Sequence, residues 1–424
     1  MKTNVALIKP KIDSDFIKSR PRPPLSLLIT STLLEEAGID NQVFDLSFEN
    51  KSICFADFTH AVITTTPLDR WETPYLNYIP ICNFITKLKK KYHKLVVIVT
   101  GTHGTVTPEE LFEDCPEIDY LIRGEPELVV KNFFTSQYIN SIEGLFYKKN
   151  GKFFDNGIAH VRDLNLLPLP NYKKIDMEVY RYPIIGTGKA FIIETSRGCP
   201  YNCTFCLKAM FPKTISYRDV GSLLEELETL ISVYGIEIIY FQDLEFTINR
   251  KRVENICTMI LSRRLTFKWA CASRVNDIDD DMLDIMKNAG CKSISFGVES
   301  LCQKTLDRIQ KKITVWDVTR AQELCRKHGI NFNLFVTRYP FESSSDIIET
   351  YRNAFKYGIH YTRRPSRILP YPGTQLYEKI FPGQRPSWKH LQKLVKSAEI
   401  KMPLTAWLYF LLLRMKLKIR ELKC

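Results

Sequence analysis

The sequence FIIETSRGCPYNCTFC, residues 191–206, joins an apolar, β-branched segment to a loop that carries three cysteines. Residues 191–195 predict a buried strand. Cys199, Cys203 and Cys206 then fall within eight residues of one another. Thiolates are the ligands of iron–sulfur clusters, and a loop containing glycine and proline can wrap around a compact cluster. Three cysteines leave one iron of a four-iron cluster open, so that iron can chelate the amino and carboxylate groups of a small molecule.

Structural zinc is the competing hypothesis for this loop. Closed zinc sites take four ligands, usually as two separated pairs, and no second cysteine pair follows in the sequence. The remaining cysteines are isolated, which indicates core thiols rather than a second cluster. They are Cys54, Cys82, Cys115, Cys257, Cys271, Cys291, Cys302, Cys325 and Cys424.

Downstream of the cysteines the apolar pattern alternates between strands and helices. Strands are predicted at 237–241, 267–272, 293–298, 331–336 and near 367–369, with helices at 220–234, 251–263, 280–289, 314–327 and 345–357. Together with residues 191–195, this predicts a partial α/β barrel of six strands, whose chemistry gathers at the carboxyl ends of the strands. The polar residues there are Gln242, Asp243, Glu245, Ser273, Arg274, Glu299 and Ser300. By periodicity alone each is equally a loop residue or a helix cap.

Upstream of the cysteines a second alternating pattern predicts a doubly wound, Rossmann-like parallel sheet. Its strands are expected at 5–8, 42–46, 61–64 and 95–100, and its helices at 25–37, near 75–92 and at 108–112. Ligands of such sheets bind beyond the carboxyl ends of the strands. Three loops qualify, at residues 64–66 (TTT), 101–104 (GTHG) and 124–127 (GEPE). None is a dinucleotide fingerprint, so plain glycine turns and an ordinary loop histidine at His103 stay open.

The length of 424 residues and the 45% hydrophobic content predict two or three domains. We expect a Rossmann-like domain at 1–135, a linker at 136–185, the barrel at 186–375 and a short helical region at 376–424. The net charge of +13 favours anionic partners, but the basic residues are dispersed and no nucleic-acid motif is present. The N-terminus lacks the apolar core of a signal peptide, so we expect reduced thiols in the cytoplasm.

The C-terminal region contains an apolar run, residues 403–413, that is too short to span a membrane and is followed by basic residues. Two interpretations stay open for it, a terminal helix docked on the body and a basic amphipathic helix at a membrane surface. The aromatic side chains from about residue 375 onward are expected to cover the cavity; they include Trp388, His390, Trp407 and Tyr409.

The Cys-x3-Cys-x2-Cys spacing, with Phe205 before the third cysteine and a strand before the first, resembles the radical S-adenosylmethionine (SAM) superfamily. Over about residues 1–375 the chain resembles the subgroup that places a cobalamin-binding domain before the barrel. The further motifs that carry this resemblance are residues 23–28 (PPLSLL), 101–105 (GTHGT), 124–127 (GEPE), 297–300 (GVES) and 370–374 (PYPGT).

The resemblance implies a set of cofactor contacts. SAM would bind the open iron, with Gln242 and Asp243 near its methionyl end, Arg274 near its carboxylate, and Glu299 and Ser300 near its ribose. Cobalamin would lie edge-on to the cluster, without the histidine-bearing Asp-x-His-x-x-Gly motif, which this sequence lacks. The candidate cobalamin residues are Thr64, Thr65, Thr66, Gly101, Thr102, His103, Gly104, Thr105, Gly124 and Glu125.

Two departures from the subgroup bear on these expectations. Residues 337–343 (TRYPFES) are bulkier than the glycine-rich turn that relatives often show after the fifth strand, which predicts a reshaped substrate cavity. Thr102 stands where a second glycine is usually expected, which weakens the cobalamin assignment.

The resulting hypothesis is an enzyme that cleaves SAM with its 4Fe-4S cluster and, with cobalamin, methylates an unactivated carbon of a small-molecule, natural-product or peptide substrate. A flavodoxin- or ferredoxin-type electron donor is implied. Two alternatives stay open. One is a radical cyclase or rearrangement enzyme without methyl transfer, and the other is a noncatalytic cobalamin- or cluster-binding sensor.

Overall fold

The structure is a computed structural model that describes residues 2–11, 22–48, 53–66, 74–180, 185–210, 212–359 and 366–396, together with Leu408, Leu411 and Leu412. Apart from these leucines, the apolar run at 403–413, the basic residues after it, Trp407 and Tyr409 lie outside the described residues. Among the described residues, no helix has the length and apolar character needed to cross a membrane.

A seven-stranded sheet forms the N-terminal domain. Its strands are β1 (Asn4–Lys9), β2 (Asp40–Asp45), β3 (His60–Thr64), β4 (Val96–Thr100), β5 (Tyr120–Ile122), β6 (Leu145–Lys149) and β7 (Lys152–Asp155). The helices are α1 (Leu25–Glu36), α2 (Ile79–Lys91), α3 (Thr102–Val106), α4 (Pro108–Asp114) and α5 (Pro126–Thr135). Strands β1 to β5 are parallel in the order β2-β1-β3-β4-β5, and β6 and β7 continue the sheet antiparallel.

The expected doubly wound sheet is confirmed, because successive residues of β1 enter cores on opposite faces. Val5 and Leu7 pack with residues of α1 and α5, whereas Ala6 and Ile8 pack with residues of α2 and α4. The strand order reverses between β1 and β3, which is the point where ligands bind in sheets of this kind.

The segment expected to be a linker, residues 136–185, packs against both sheets. Its first part supplies the β6–β7 hairpin of the N-terminal sheet. Its last part inserts two tyrosines into the core, where the rings of Tyr172 and Tyr180 lie 5.3 and 6.2 Å from the ring of Phe191. The Tyr180 hydroxyl also donates to Asp45 Oδ2 at 2.9 Å. This segment therefore packs the two domains together rather than tethering them loosely.

The second sheet is the predicted partial barrel. Its six parallel strands are β8 (Ala190–Ile193), β11 (Ile238–Phe241), β12 (Lys268–Ser273), β13 (Cys291–Glu299), β14 (Asn331–Arg338) and β15 (Ser366–Arg367), in that spatial order. A short antiparallel pair, β9 (Ser196–Arg197) and β10 (Ser216–Tyr217), brackets the cysteines. The helices are α6 (Val220–Ser232), α7 (Arg250–Ser262), α8 (Asp280–Asn288), α9 (Gln303–Arg308), α10 (Val315–Lys327) and α11 (Ser344–Lys356).

Of the two C-terminal helices, α12 (Gln375–Ile380) packs through Leu376 on the barrel residues Ile309 and Ile368, and α13 (Trp388–Lys396) lies against the N-terminal domain. The Trp388 side chain is fully buried in that domain's core, and its backbone N–H donates to Glu110 Oε2 at 3.1 Å. Lys389 Nζ lies 2.7 Å from Asp114 Oδ1. We expected these aromatic residues to cover the barrel cavity; for Trp388 this was wrong, because its apolar ring finds a core in the other domain.

Candidate active site

The cluster loop, residues 198–210, is held from several sides. Gly198 has φ +104°, and a Cβ there would lie 2.1 Å from the carbonyl oxygen of Thr214. The backbone N–H of Thr204 donates to the Ile309 carbonyl at 3.1 Å, and the Thr204 carbonyl accepts from the Leu376 N–H at 2.9 Å. The loop therefore has a fixed path between the barrel and α12.

The three thiols of the loop, Cys199, Cys203 and Cys206, are half-buried and free. Burial, followed by the neighbouring Cys203 thiol, raises the pKa of Cys206 to about 12, and burial also raises the pKa of Cys199. A positively charged iron centre would reverse this, since metal coordination deprotonates thiols. No three His, Cys, Asp or Glu side chains of the described residues converge on one point suited to a single ion.

Asp243, expected near SAM, accepts hydrogen bonds from Thr195 and Ser196, which follow β8. Its carboxylate accepts from the Thr195 N–H at 2.7 Å, the Thr195 hydroxyl at 2.5 Å and the Ser196 hydroxyl at 2.6 Å. These bonds fix the residues that lead directly into the cluster loop. Asp243 is therefore a positioning residue for the cysteines.

Gln242, next to Asp243, has the geometry of a ligand contact. It is nine-tenths buried, and its side-chain oxygen has no hydrogen-bond partner among the described residues. Phe241 points into the core between sheet and helices, so the alternation of the strand directs Gln242 into the barrel lumen. A buried acceptor without a donor is costly unless a ligand supplies one.

Arg274, Tyr201 and Asp277 form a polar group beside the cluster loop. The Arg274 guanidinium lies 3.8 Å from the centroid of the Tyr201 ring, and the Tyr201 hydroxyl donates to Asp277 Oδ2 at 2.7 Å. Arg274 also donates to the Lys311 carbonyl. The predicted SAM residue Arg274 thus contacts the loop itself.

Glu299 and Ser300 separate in the structure. Glu299 has φ +70°, an uncommon conformation outside glycine that often marks functional sites. Its carboxylate accepts from Lys311 Nζ at 3.3 Å and from the Thr337 hydroxyl at 2.9 Å. Ser300 is buried with its hydroxyl 2.8 Å from that of Thr350 on α11. Ser300 therefore packs against a helix, and only Glu299 keeps the geometry of a site residue.

The lumen side of β13 and β14 is open and polar. Phe332 and Leu334 pack against the main core, so alternate residues of β14 face the lumen. Phe335 is 53% exposed, and small residues of β13 lie beside the lumen positions of β14. The register pairs Ser293 with Asn331, Ser295 with Asn333 and Gly297 with Phe335.

The carboxyl edge of the N-terminal sheet brings two of the expected cobalamin segments together. The Thr65 N–H and hydroxyl donate to the Thr100 carbonyl at 2.9 and 3.1 Å. Gly101 has φ +111°, and a Cβ there would lie 2.6 Å from Thr65 Oγ1 and 2.9 Å from Thr66 Oγ1. Glycine is required at this position because the two segments touch.

The His103 side chain is buried next to the rings of Tyr78 and Trp388. Residues 102–106 form α3 rather than the expected loop, and His103 is fully buried with its ring 4.5 Å from that of Trp388. His103 Nε2 lies 2.8 Å from the Tyr75 carbonyl oxygen, and burial lowers the pKa of His103 to about 4. In this structure His103 is therefore a neutral histidine that donates from Nε2 and packs on Trp388.

Thr105, on α3, joins the edge of the N-terminal sheet to the cluster loop. Its hydroxyl lies 2.9 Å from Met210 Sδ and accepts from the Gly124 N–H at 3.0 Å. A Cβ on Gly373 would meet Val106 at 3.2 Å and Leu207 at 3.9 Å. The two carboxyl edges therefore face one another at the cysteines.

Gly124 and Glu125, also expected to bind cobalamin, make different contacts in the protein. Gly124 has φ +93°, and a Cβ there would lie 2.0 Å from the Ala159 carbonyl oxygen. Glu125 accepts from the Val161 N–H at 2.7 Å and pairs with Arg197 at 2.8 Å. Arg197 has no role predicted from the sequence, although it stands in the opening motif and an acidic pair lies in residues 124–127.

Glu245 is a buried carboxyl whose ionisation opposes folding. Burial, followed by repulsion from Asp277, raises the pKa of Glu245 to about 8 from an ordinary value of 4.5. The folded state then binds the extra proton between these values, so stability is lost as pH rises through that window. Glu245→Gln in the cluster-free protein is expected to gain stability over wild type by a few kcal/mol at about pH 8.5 and by nothing near pH 4.5.

The measurement is urea denaturation of the cluster-free protein across this pH range. The matched control is Glu228→Gln, at a side chain that is 43% exposed, and it should show no such trend. Equal pH profiles for Glu245→Gln and wild type would contradict the raised pKa.

The chain is similar to known proteins over both domains. The model of the Radical SAM superfamily matches residues 193–354. An uncharacterized methyltransferase of Pyrococcus horikoshii, PH0819, is 31% identical over 368 residues, which cover 84% of this chain and 78% of that protein. An anaerobic magnesium-protoporphyrin IX monomethyl ester cyclase of Cereibacter sphaeroides is 28% identical over 296 residues, 67% of this chain and 48% of the cyclase. This chain therefore matches about half the length of that relative.

Among solved structures, the radical S-adenosylmethionine methyltransferase TsrM of Kitasatospora setae, with cobalamin and a 4Fe-4S cluster bound, superposes with a TM-score of 0.71. The alignment covers 90% of this chain and 75% of that protein at 19% identity. This likeness confirms the order of a Rossmann-like domain followed by a partial barrel.

Proposed function

The chain belongs to the radical SAM superfamily, and from that premise we propose that it is a cobalamin-dependent methyltransferase acting on carbon. The observation that carries the proposal is the meeting of the two carboxyl edges. Thr105 of the N-terminal domain lies 2.9 Å from Met210 of the cluster loop. A cofactor on the first edge would therefore lie beside a cofactor held by the cysteines.

The residues present fit both a 4Fe-4S cluster that binds SAM and a cobalamin. Cys199, Cys203 and Cys206 would hold the cluster and leave one iron open for SAM, and Gln242 offers a buried acceptor toward the lumen. When bound, the cluster supplies the electron that cleaves SAM, and cobalamin supplies the methyl group. The protein holds Glu299 and Lys311 as a nearly buried ion pair in the same region, which fixes their charges in place.

Cobalamin would lie on Thr64, Thr65, Thr66, Gly101 and Thr105, without a histidine ligand to cobalt. In the structure His103 packs on Trp388, Gly124 contacts Ala159 and Thr105, and Glu125 pairs with Arg197 of the barrel. The close packing of Gly101 on Thr65 and Thr66 holds these segments together at the carboxyl edge, where ligands of such sheets bind.

His103→Phe tests the absence of a histidine ligand. The variant is expected to keep its cobalt content, and its cob(II)alamin EPR spectrum should show the same nitrogen splitting pattern as that of wild type. Stability should fall by about 1 kcal/mol, because the hydrogen bond to Tyr75 is lost. The exposed His93→Phe serves as control, and nitrogen splitting that disappears only in His103→Phe would contradict the assignment.

The substrate proposed is a small molecule or a peptide side chain with hydrogen-bonding groups. Ser295, Asn333 and the exposed ring of Phe335 line the lumen, so the cavity offers polar contacts beside one aromatic surface. TsrM has been solved with tryptophan as substrate, which is a molecule of this kind.

The same proposal includes a flavodoxin- or ferredoxin-type electron donor and a reducing, cytoplasmic setting. The latter is supported by the eleven cysteines of the described residues, all of which are free thiols. Contact of the C-terminal tail with a membrane remains a hypothesis on residues outside the described part.

A second candidate is a radical cyclase without methyl transfer, since cyclases stand among the relatives. The discriminating experiment counts iron and cobalt in anaerobically purified, cobalamin-supplemented protein and weighs the product. About four irons, stoichiometric cobalt and a gain of one methyl support the methyltransferase. Iron without cobalt and no mass gain would replace it with the cyclase, and iron-loaded protein that fails to cleave SAM would indicate the sensor.

A further inference from the structure

A buried arginine clamp joins the N-terminal domain to the cysteines. Arg197, which lies two residues before Cys199, is 3% exposed. Arg197 Nη1 lies 2.8 Å from Glu125 Oε1, and Nη2 lies 2.9 Å from both Glu127 Oε1 and Glu194 Oε2. Glu125 and Glu127 flank the start of α5 in the N-terminal domain, whereas Glu194 ends β8 of the barrel. One guanidinium thus connects three carboxylates from both domains.

The clamp continues into a second arginine. Arg218 donates to the Glu194 carbonyl at 3.0 Å and pairs with Glu226, which also accepts from the hydroxyl of Tyr172. Removing so many charges from water is unfavourable, and an apolar contact of the same volume is often equally stable. A charged cluster is more specific in direction than an apolar contact, because the planar guanidinium donates hydrogen bonds only within its own plane.

The clamp also restricts the cysteines, because Arg197 directly precedes the cluster loop. Arg197 is paired with Ser216 in the β9–β10 ladder, and the next residue is the constrained Gly198. On the other domain, Gly124 donates to Thr105, whose hydroxyl contacts Met210 at the far end of the cluster loop. The segment at 124–127 therefore contacts the residue before Gly198 directly, and it reaches the far end of the loop through Thr105.

We propose that Arg197 is a positioning residue that sets the placement of the cluster loop relative to the N-terminal domain. This rests on the proposed function, in which the two edges carry two cofactors. Loosening the clamp would leave the cysteines able to assemble a cluster, while the loop and the N-terminal edge lose their fixed separation.

The test uses the full-length protein with Glu127→Gln and Arg197→Lys. Glu127→Gln removes one charge without changing volume, and Arg197→Lys keeps the charge but cannot bind several carboxylates in one plane. The matched controls are Glu228→Gln and Arg263→Lys, which alter a half-exposed ion pair of 2.9 Å. Hydrogen exchange and iron content are measured on iron-loaded protein, and the EPR relaxation of cob(II)alamin by the reduced cluster is measured on cobalamin-loaded protein.

Iron content should stay at the wild-type level in Glu127→Gln, while amide exchange rises about tenfold at residues 196–206 as well as at 124–127. The relaxation of cob(II)alamin should change in both clamp variants and in neither control. Unchanged exchange at 196–206 in Glu127→Gln overturns the proposal, even if Arg197→Lys fails to fold. A wild-type protein without cobalt contradicts the proposed function only, because the exchange measurement needs no cobalamin.

Discussion

Cys203→Ala is expected to lose the cluster and with it all cleavage of SAM. Cys203 lies between the other two ligands on a loop of fixed path, and among the described residues no further cysteine is placed to replace it. Iron should fall from about four per chain to near zero, and 5'-deoxyadenosine formation by at least about a thousandfold. Both are measured on anaerobically reconstituted protein with a strong chemical reductant.

The matched control is Cys54→Ala, which removes an exposed, isolated thiol. It should keep wild-type iron and activity. If Cys203→Ala retains four irons, another residue completes the cluster and the three-cysteine assignment is wrong.

The local patterns of the sequence were sufficient to predict both sheets. A run such as residues 293–298 is flanked by turn residues and alternates its apolar side chains, and it appears in the structure as Cys291–Glu299. The cysteine motif is equally local, since its ligands are near neighbours in sequence. Short elements were not predicted. The helix α3 and the strand β5 are too short to show a periodic pattern, and the residues they contact are distant in sequence.

The roles of single polar residues depended on contacts that no local pattern contains. His103 was placed with the cobalamin residues because of its motif, yet its ring packs on Trp388, which lies far along the chain. Glu125 likewise pairs with Arg197 of the other domain. In both cases the motif marks a constrained position, and the contacts there are made by residues that are distant in sequence.

The same reasoning explains why the expected linker contributes to the core. Tyr172 and Tyr180 are amphipathic, so their rings bury against Phe191 while their hydroxyls reach Glu226 and Asp45. Composition alone does not distinguish a packed irregular segment from a free one, because both lack periodicity.

Gly198→Ala is expected to disrupt the cluster loop as strongly as loss of a ligand, although it removes no ligand. Its φ of +104° disfavours any side chain, and the added Cβ would lie 2.1 Å from the Thr214 carbonyl oxygen. The backbone around Gly198 and the segment of Thr214 cannot easily move apart, because the Cys199 N–H donates to the Pro212 carbonyl and Arg197 is held by the clamp. We expect a loss of about 3 kcal/mol or more in the free energy of unfolding, with iron content well below that of wild type.

The matched control separates backbone strain from the steric clash. Gly151, in the β6–β7 turn, also has a positive φ of +78°, but nothing lies within 4 Å of a Cβ built there. Gly151→Ala should therefore cost only about 1 kcal/mol and keep its iron. The two variants are compared by urea denaturation and iron analysis. Equal losses would show that the approach of Thr214 is not what fixes the loop, whereas a much larger loss in Gly198→Ala assigns the path of the cysteines to this single close contact.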